Sequence, residues 1–353
     1  MTIFLKKLLK IFFINFFIIL SSIFFIEIIF GYWFDKDNFG PYMREHRMKN
    51  QQIEWINGEE KKIYFYRRNY YGFRGGDIEP SEIQAVILGG SAIDERFSPD
   101  EYTITGFLNK KLKESNIKIK IINGGVQALS TVGMIDGFEN WLFKLKNFSP
   151  KYILFYVGIN EAANNKGKSV KNDGHDGHLL NPESVEVLFD TIKSKSILYD
   201  SIRIFKFKYL PRKNFTKYDG NMGEEYKRTF NFTSYKFAEE NYDLEELEKK
   251  LAYETTGYLS RIEELNRLSK KLNSIPIFIT SLTSGGHSEF TFTMNNFIMK
   301  NCKIKKLLCI DLAKKIDGKM EYWYDGTHTS KKGSETVAKI IFEDLEKIIQ
   351  QNN

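Results

Sequence analysis

The sequence predicts an α/β fold, a three-layer sandwich around a parallel sheet of roughly five strands, preceded by an N-terminal transmembrane helix. Five short apolar runs have the length and β-branched content of buried parallel strands, and segments with helical periodicity separate them. Strands that alternate with helices predict a parallel sheet covered on both faces. In chain order the five runs are AVILGG, KIKIIN, YILFYVG, IPIFITS and LLCIDL.

The N-terminal apolar run predicts a membrane anchor. Three lysines precede an uncharged stretch from Ile11 to Ile26, which resumes after Glu27 and places Tyr32 and Trp33 where an interfacial aromatic belt would lie. Large side chains continue without the small residues of a cleavage site, which favours an uncleaved anchor over a signal peptide. The lysines favour a cytoplasmic N-terminus, so the rest of the chain is expected on the extracytoplasmic side of the cell membrane. A buried core helix is the alternative interpretation.

Charge and cysteine content narrow the class of protein. The formal net charge is +7, but lysines are interleaved with glutamates and no basic cluster stands among aromatic residues, so nucleic acid is not an expected partner. The two cysteines, Cys302 and Cys309, could pair in an oxidising compartment. Because Cys309 falls inside a predicted strand, we expect a buried free thiol there.

Composition divides the chain into three parts. Residues 1–34 form the predicted cytoplasmic tip and anchor, 35–68 a juxtamembrane segment and 69–350 an α/β domain. Residues at about 162–243 exceed an ordinary crossover between the third and fourth strands, which predicts an insertion. Its piece SILYDSIRIFKFKYL is amphipathic and predicts a helix over the edge of the sheet. Insertions at strand ends often shape active sites.

A serine directly follows the first strand in QAVILGGSAIDERFS. Ligands of open parallel sheets bind outside the carboxyl ends of the strands, so Ser91 has the position of a nucleophile. Gly89 and Gly90 permit a tight turn and a close approach of substrate, and the amide of Ser91 can help to hold an oxyanion. Taken alone, a Gly-Gly-Ser sequence is more often only a turn. The sequence lacks the G-x-G-x-x-G and Walker patterns, which argues against a nucleotide site.

Two further segments are expected to place polar groups at the same edge of the predicted sheet. Asn160 follows the third strand in YVGINEAANN, and its amide can donate a hydrogen bond to an oxyanion. Asp325 and His328 precede the last helix in YDGTHTS. Acyl transfer by a serine needs a base for the hydroxyl proton and a group that fixes the tautomer of that base, and this pair can supply both. In isolation, Asn160 is equally well explained as a turn former and Asp325 as a cap or turn residue.

The order of these segments resembles that of the SGNH/GDSL hydrolase family. The blocks are GGSA at Ser91, GIN at Asn160 and DGTH at His328, and NYYGFRG upstream resembles the lead-in of membrane-anchored bacterial members. The resemblance covers roughly residues 69–345, apart from the insertion. It implies a flavodoxin-like SGNH hydrolase fold in which Ser91 is the nucleophile, His328 the base and Asp325 the residue that orients it, with no cofactor.

The resemblance also implies an oxyanion hole. It assigns the amides of Ser91 and Ala128 and the side chain of Asn160 to this role. Ala128, in INGGVQALS, stands where the family usually has a glycine. An alanine amide still donates a hydrogen bond, but a positive φ there would cost about 1 kcal/mol.

Two histidine-containing segments remain outside these blocks. His287, in SGGHSEF after the fourth strand, is a candidate substrate contact that lacks an adjacent acid to make it the base. The NDGHDGH segment holds four side chains of the kind that ligate metals, but no third segment supplies partners, so no metal is predicted.

The resemblance, together with the predicted location, implies a serine esterase that removes O-acyl groups, acetyl above all, from an envelope glycan or glycolipid outside the cytoplasm. Its expected partners are an acylated carbohydrate or lipid-linked substrate and the membrane that holds its N-terminal helix. The first alternative is an O-acyltransferase that uses Ser91, Asp325 and His328 on a surface polysaccharide, with a membrane protein as acyl donor. The second is a glycan-binding scaffold without turnover, which the presence of Ser91 and His328 disfavours.

Overall fold

A long N-terminal helix precedes an α/β domain and a second, smaller sheet in the computed structural model of the chain. The structure describes residues 3–34, 50–69, 71–76, 78–127, 129–161, 189, 192–193, 195–199, 201–202, 205 and 212–352. The described strands are β1 (Asn50–Asn57), β2 (Glu60–Arg67), β3 (Ala85–Leu88), β4 (Ile121–Asn123), β5 (Tyr152–Tyr156), β6 (Arg212–Asp219), β7 (Ile275–Ile279) and β8 (Leu308–Ile310). The helices include α1 (Ile3–Phe30), α2 (Ser91–Asp94), α3 (Ile104–Glu114), α4 (Thr131–Asn140), α5 (Glu224–Thr229), α6 (Tyr235–Asn241), α7 (Leu244–Lys250), α8 (Ala252–Lys271), α9 (Glu289–Lys305), α10 (Leu312–Lys315) and α11 (Lys331–Gln351).

The N-terminal helix α1 is long and apolar enough to cross a membrane. Its 28 residues rise about 42 Å, which exceeds the hydrocarbon thickness of about 30 Å. None of the most apolar stretch within Leu5–Phe30 is buried against the rest of the chain. Membrane anchors and signal sequences share this composition.

The five predicted strands form one parallel sheet in the order β4-β3-β5-β7-β8. Counted along the chain this is the order 2-1-3-4-5 of flavodoxin-like folds. The connections from β3 and from β5 leave toward opposite sides, so a crevice opens where these two neighbouring strands end. The predicted fold class is therefore confirmed.

Helices cover both faces of this sheet. Along β3, Val86 and Leu88 face a core that α4, α8 and α9 complete, whereas Ala85 and Ile87 face a second core under α3 and α11. Because a strand alternates its side chains between faces, a strand buried on both sides must be apolar throughout. That requirement explains the continuous apolar runs in the sequence.

A second sheet has the order β2-β1-β6. The strands β1 and β2 form an antiparallel hairpin in which Asn57 pairs with Glu60, and Gly58 occupies the turn at φ +62°, where glycine is favoured. The third strand, β6, comes from the insertion and pairs parallel to β1. Much of the segment 35–68 that we expected to be a juxtamembrane connection is thus a hairpin packed on the α/β domain, and residues 35–49 lie outside the described residues.

The two cysteines form a disulfide, so the prediction of a buried free thiol at Cys309 is wrong. Cys302 lies in the last turns of α9 and Cys309 lies in β8. A tight connection containing Lys306 at φ 54° reverses the chain between them and brings their Cα atoms to 6.2 Å. This separation lies in the range that a disulfide spans.

The amphipathic piece of the insertion contacts α1. We expected SILYDSIRIFKFKYL to lie over the edge of the sheet, but Ser196 at its start donates a hydrogen bond from Oγ to Glu27 Oε1 at 2.6 Å. The neighbouring amides of Ile197 and Leu198 also donate to this carboxylate. Residues 162–188 of the predicted insertion lie outside the described residues.

Candidate active site

Ser91 is the first residue of α2 and follows β3 through two glycines. A side chain at Gly90 would clash with the Asn160 amide nitrogen, so only glycine fits at this close approach. The serine therefore stands at the crevice beyond β3, with the amide group of Asn160 packed against the residue before it.

Asn160 brings the GGSA, INGGVQALS and GIN segments together. Its Nδ2 donates one hydrogen bond to the Leu129 carbonyl oxygen at 2.9 Å, and its second N–H remains to bind an oxyanion. Gly158, two residues earlier, adopts φ +116°, a conformation that favours glycine and turns the chain after β5. Ala128, the predicted amide donor, lies outside the described residues.

Glu161 fixes the loop that carries Asn160. The buried Glu161 carboxylate accepts hydrogen bonds from the Thr131 amide at 2.8 Å, the Thr131 hydroxyl at 2.9 Å and Arg261 Nη2 at 2.8 Å. Burial raises the pKa of this carboxyl, although Arg261 and the hydrogen bonds oppose the shift. The loop after β5 is thereby tied to α4 and α8, a role that the sequence did not reveal.

Asp325 and His328 form a hydrogen-bonded pair. His328 Nδ1 lies 2.8 Å from Asp325 Oδ2, and Asp325 Oδ1 accepts from the amides of Thr327 and His328 at 2.7 Å each. Burial alone would raise the pKa of Asp325, but the hydrogen bonds and charge of His328 and the two amides outweigh it and lower the pKa. An ionised Asp325 holds the proton on Nδ1, which leaves Nε2 to accept a proton.

Aromatic rings cover the base. The Tyr324 ring stacks on the His328 imidazole with centroids 5.4 Å apart and planes 9° apart. Tyr218 of β6 meets Tyr324 edge to face at 5.0 Å, and Phe97 stacks on Tyr218 at 4.5 Å. Burial raises the pKa of both tyrosines, so their hydroxyls stay neutral. The insertion therefore supplies part of the wall beside His328.

Arg68 supports the nucleophile helix from behind. Its guanidinium, fully buried, donates to Asp94 Oδ1 at 2.6 Å, to the Gly72 carbonyl at 2.6 Å, to the Tyr66 hydroxyl at 2.8 Å and to the Gly125 carbonyl. The Tyr66 hydroxyl donates in turn to Asp94 Oδ1 at 2.7 Å. Because Asp94 is in α2 and Gly125 follows β4, one side chain joins the helix of Ser91 to the INGGVQALS segment.

Arg74, in the NYYGFRG segment, binds the carbonyl end of α2. It donates to the carbonyls of Asp94, Glu95 and Ser98, the second at 2.6 Å, and pairs through Nε with Asp100 Oδ1 at 2.8 Å. The last carbonyls of a helix have no intrahelical donors, and a cation is favourable there. The lead-in segment thus stabilises the position of α2, the helix that Ser91 begins.

Glu95 connects the nucleophile to the helix behind the base. It ends α2 at φ 42°, and its buried carboxyl accepts from the Ser334 hydroxyl of α11 at 2.6 Å and from the Ile104 amide of α3 at 2.6 Å. Burial raises the pKa of Glu95 to about 8. The helix α11 begins directly after the loop of His328, so Glu95 links the segment of Ser91 to the segment of His328.

His287 is a core residue, and its predicted role as a substrate contact does not fit this position. The side chain is 1% exposed, and its Nε2 lies 3.0 Å from the Ala313 carbonyl oxygen. The rings of Tyr235 and Phe292 flank it, and burial lowers its pKa. The NDGHDGH segment lies outside the described residues.

Comparison with known proteins finds likeness only among solved structures. No protein-family model and no curated protein matches the chain. A psychrotrophic esterase from Pseudoalteromonas sp. is 11% identical, with a TM-score of 0.41, over 76% of this chain and 100% of that chain. An acetylxylan esterase from Geobacillus stearothermophilus, in the form of a catalytic mutant, is 11% identical, with a TM-score of 0.40, over 76% of this chain and 95% of that chain. A GDSL-like lipase from Bacteroides thetaiotaomicron is 11% identical, with a TM-score of 0.37, over 76% of this chain and 88% of that chain.

The sheet order and the positions of the sequence blocks agree with the arrangement that the sequence predicted. Ser91 begins the helix after the first strand of a 2-1-3-4-5 sheet, Asn160 follows the third strand, and the Asp325–His328 pair precedes the last helix. This is the arrangement that the resemblance to SGNH hydrolases implies.

Proposed function

We propose that the chain is a serine esterase of the SGNH type, held at the membrane by α1, that removes O-acyl groups from an envelope glycan or glycolipid. The observation that carries this proposal is the Asp325–His328 pair at 2.8 Å, on a fold that also brings the Asn160 amide against the residue before Ser91. A nucleophile, a base with a fixed tautomer and an oxyanion donor are the groups that ester hydrolysis needs.

The reaction follows from these positions. Ser91 Oγ attacks the acyl carbonyl while His328 Nε2 takes the hydroxyl proton, and Asp325 stabilises the resulting imidazolium through Nδ1–H. The oxyanion accepts hydrogen bonds from the Ser91 amide and Asn160 Nδ2, together with the amide assigned to Ala128. When the C–O bond to the alcohol breaks, His328 returns the proton to the departing oxygen. Water, deprotonated by the same imidazole, then releases the acid and restores Ser91.

Two observations support an extracytoplasmic site. Lysines precede the apolar stretch of α1, which favours a cytoplasmic N-terminus. The disulfide between Cys302 and Cys309 is typical of proteins in oxidising compartments. A phosphatase fused after Asn353 tests this topology: activity in the periplasm or outside the cell supports it, and a reporter active only in the cytoplasm contradicts it.

The test of the activity uses the full-length protein with aryl acetates, acetylated glycans and a fluorophosphonate probe. We expect the probe to label one serine and Ser91→Ala to abolish both labelling and turnover. Ser115→Ala, an exposed serine at the end of α3, is the matched control and should change neither. Labelling that survives Ser91→Ala would place the nucleophile elsewhere.

Acyl transfer to a sugar hydroxyl would use the same residues. The aromatic wall of Tyr218, Phe97 and Tyr324 beside His328 favours this variant, because transfer requires that water be kept from the acyl-enzyme. Adding an acceptor glycan to the assay distinguishes the two: an acylated glycan as product indicates transfer, and free acid alone indicates hydrolysis.

A further inference from the structure

The insertion is bonded to α1 at Glu27. Near the end of this apolar helix a carboxylate needs partners, because charge in a bilayer is costly. Its Oε1 accepts from Ser196 Oγ at 2.6 Å and from the Leu198 amide at 3.2 Å. Its Oε2 accepts from the Ile197 amide at 3.2 Å and from Trp33 Nε1 at 3.1 Å. Three of these four donors belong to the insertion.

The geometry of this contact is that of a helix start. The Tyr199 amide donates to Ser196 Oγ at 3.0 Å, so Ser196 caps a helical turn. The first amides of a helix have no intrahelical acceptors, and a carboxylate such as that of Glu27 both satisfies them and is favourable at this end. A backbone hydrogen bond from the Tyr32 amide to the Lys195 carbonyl, at 2.8 Å, adds a second connection.

Large apolar side chains of the same segment are exposed. Ile202 is 66% exposed and Phe189 is 56% exposed. Ile202 lies four residues after Leu198, whose amide donates to Glu27. At the end of α1 itself, Phe30 and Phe34 are also exposed.

We propose that the described residues between Phe189 and Phe205, here called the docked segment, lie in the interfacial layer of the bilayer and are held to α1 by Glu27. Lipid is then the partner of Ile202 and Phe189, as on the apolar face of an interfacial helix. The proposal rests on the proposed membrane-spanning role of α1. A bilayer is the occupant because it surrounds the end of α1, to which the segment is bonded.

Docking has a consequence for the substrate. The insertion is bound to the membrane helix at Glu27 and, through Tyr218, to the wall beside His328. Holding the insertion at both places keeps the active site at a limited distance from the bilayer. A lipid-linked glycan, which the membrane itself presents, fits this arrangement.

Spin labels test the proposal in the full-length protein in lipid nanodiscs. Single cysteines for labelling replace Ile202 and Phe189, and two exposed positions provide references: Phe17 in the middle of α1 for lipid, and Tyr253 on α8 for water. We expect the labels at 202 and 189 to be accessible to oxygen and protected from a water-soluble nickel chelate. Labels at both positions that are as accessible to the chelate as the label at Tyr253 would overturn the proposal.

The Glu27→Ala variant tests the hydrogen bonds. We expect chelate accessibility at Ile202 to rise to that at Tyr253, while the label at Phe17 stays in lipid and aryl acetate turnover is retained. Glu289→Ala is the control, because Glu289 pairs with Lys250 on the surface. A label at Ile202 that stays protected in Glu27→Ala would overturn docking through Glu27.

The outcomes separate this proposal from the proposed function. A label at Phe17 that is accessible to the chelate shows that α1 does not span the bilayer. That result contradicts both the proposed membrane-spanning role of α1 and the docking proposal. Loss of aryl acetate turnover on Ser91→Ala still tests the esterase independently. Protected labels at Phe17 with exposed labels at 202 and 189 contradict docking alone.

Discussion

Ser91, the proposed nucleophile, and His328, the proposed base, are supported in different ways. Ser91 stands on a short helix whose far end is bound by Arg68 and Arg74, both buried. Asp325 and His328 stand on one loop that hydrogen-bonds to itself, and their side chains remain 26% and 25% exposed. Charged groups in the interior hold the helix of Ser91, whereas backbone amides and aromatic rings hold the Asp325–His328 pair.

The difference follows from what each group does. A nucleophile must keep one position, and a support made of buried guanidinium groups is stiff because every guanidinium nitrogen of Arg68 and Arg74 donates to a fixed acceptor. The base must gain and lose a proton, so it needs a counter-ion and access to solvent. Asp325 supplies the first, since the His328 hydrogen bond and two amides keep its pKa low against the effect of burial.

Removing the base should have the largest effect. His328→Ala deletes the acceptor of the serine proton, and we expect kcat/KM for an aryl acetate to fall by about 10³ to 10⁴ or more. Asp325→Asn should cost nearly as much, because an amide favours the wrong tautomer of His328. Steady-state kinetics of the folded variants measure both, and a loss below about tenfold in either would remove that residue from the triad.

Removing the buried Arg68 guanidinium beside α2 should lower the free energy of unfolding. Arg68→Gln leaves the buried Asp94 carboxylate without its counter-ion, and we expect the free energy of unfolding to fall by about 3 to 5 kcal/mol. Arg267→Gln is the matched control, because Arg267 pairs with Glu264 on the surface, where such pairs contribute about 0 to 1 kcal/mol. Chemical denaturation measures both. Equal losses in the two variants would contradict a special role for the buried support.

Removing the oxyanion donor should have a smaller effect on turnover. Asn160→Ala deletes one donor among several, and we expect kcat to fall by about 10² to 10³ with KM little changed. Asn140→Ala, an amide that bonds within α4, is the control and should retain full activity. If Asn160→Ala turns over ester like the unmodified protein, Asn160 lies outside the oxyanion hole.

Local sequence signals predicted the sheet and the paired base. The core strands are apolar on both faces, so each was visible as a short continuous run, and Asp325 lies only three residues from His328. The hairpin also had a local signal, since Gly58, between two runs of strand-forming residues, is favoured in the two-residue turn that Gly58 and Glu59 form. The segment 35–68 was predicted only as a juxtamembrane connection, so the hairpin was missed.

Non-local contacts were beyond what the sequence could show. The strand β6 joins β1 across more than 150 residues, and nothing in either segment specifies that partner. Tyr218 comes beside His328 only through this pairing. His287 follows a strand as a site residue would, but the packing of Tyr235 and Phe292 around it decides that it is buried.

Glu95, which joins α2 to α11, gives the smallest expected effect on stability, and that effect depends on pH. Burial raises the pKa of Glu95 to about 8, so the folded protein keeps this carboxyl protonated where the unfolded chain has lost the proton. Stability should therefore decline as the pH rises from about 4.5 to about 8. Glu95→Gln has no proton to lose and keeps polar groups toward Ser334 and Ile104. We expect the melting temperatures of variant and unmodified protein to be similar near about pH 5 and the variant to melt higher near about pH 8.5. A difference in melting temperature that stays constant between these two values would show that Glu95 is already ionised in the folded protein, and that the contact between α2 and α11 is an ordinary charged hydrogen bond.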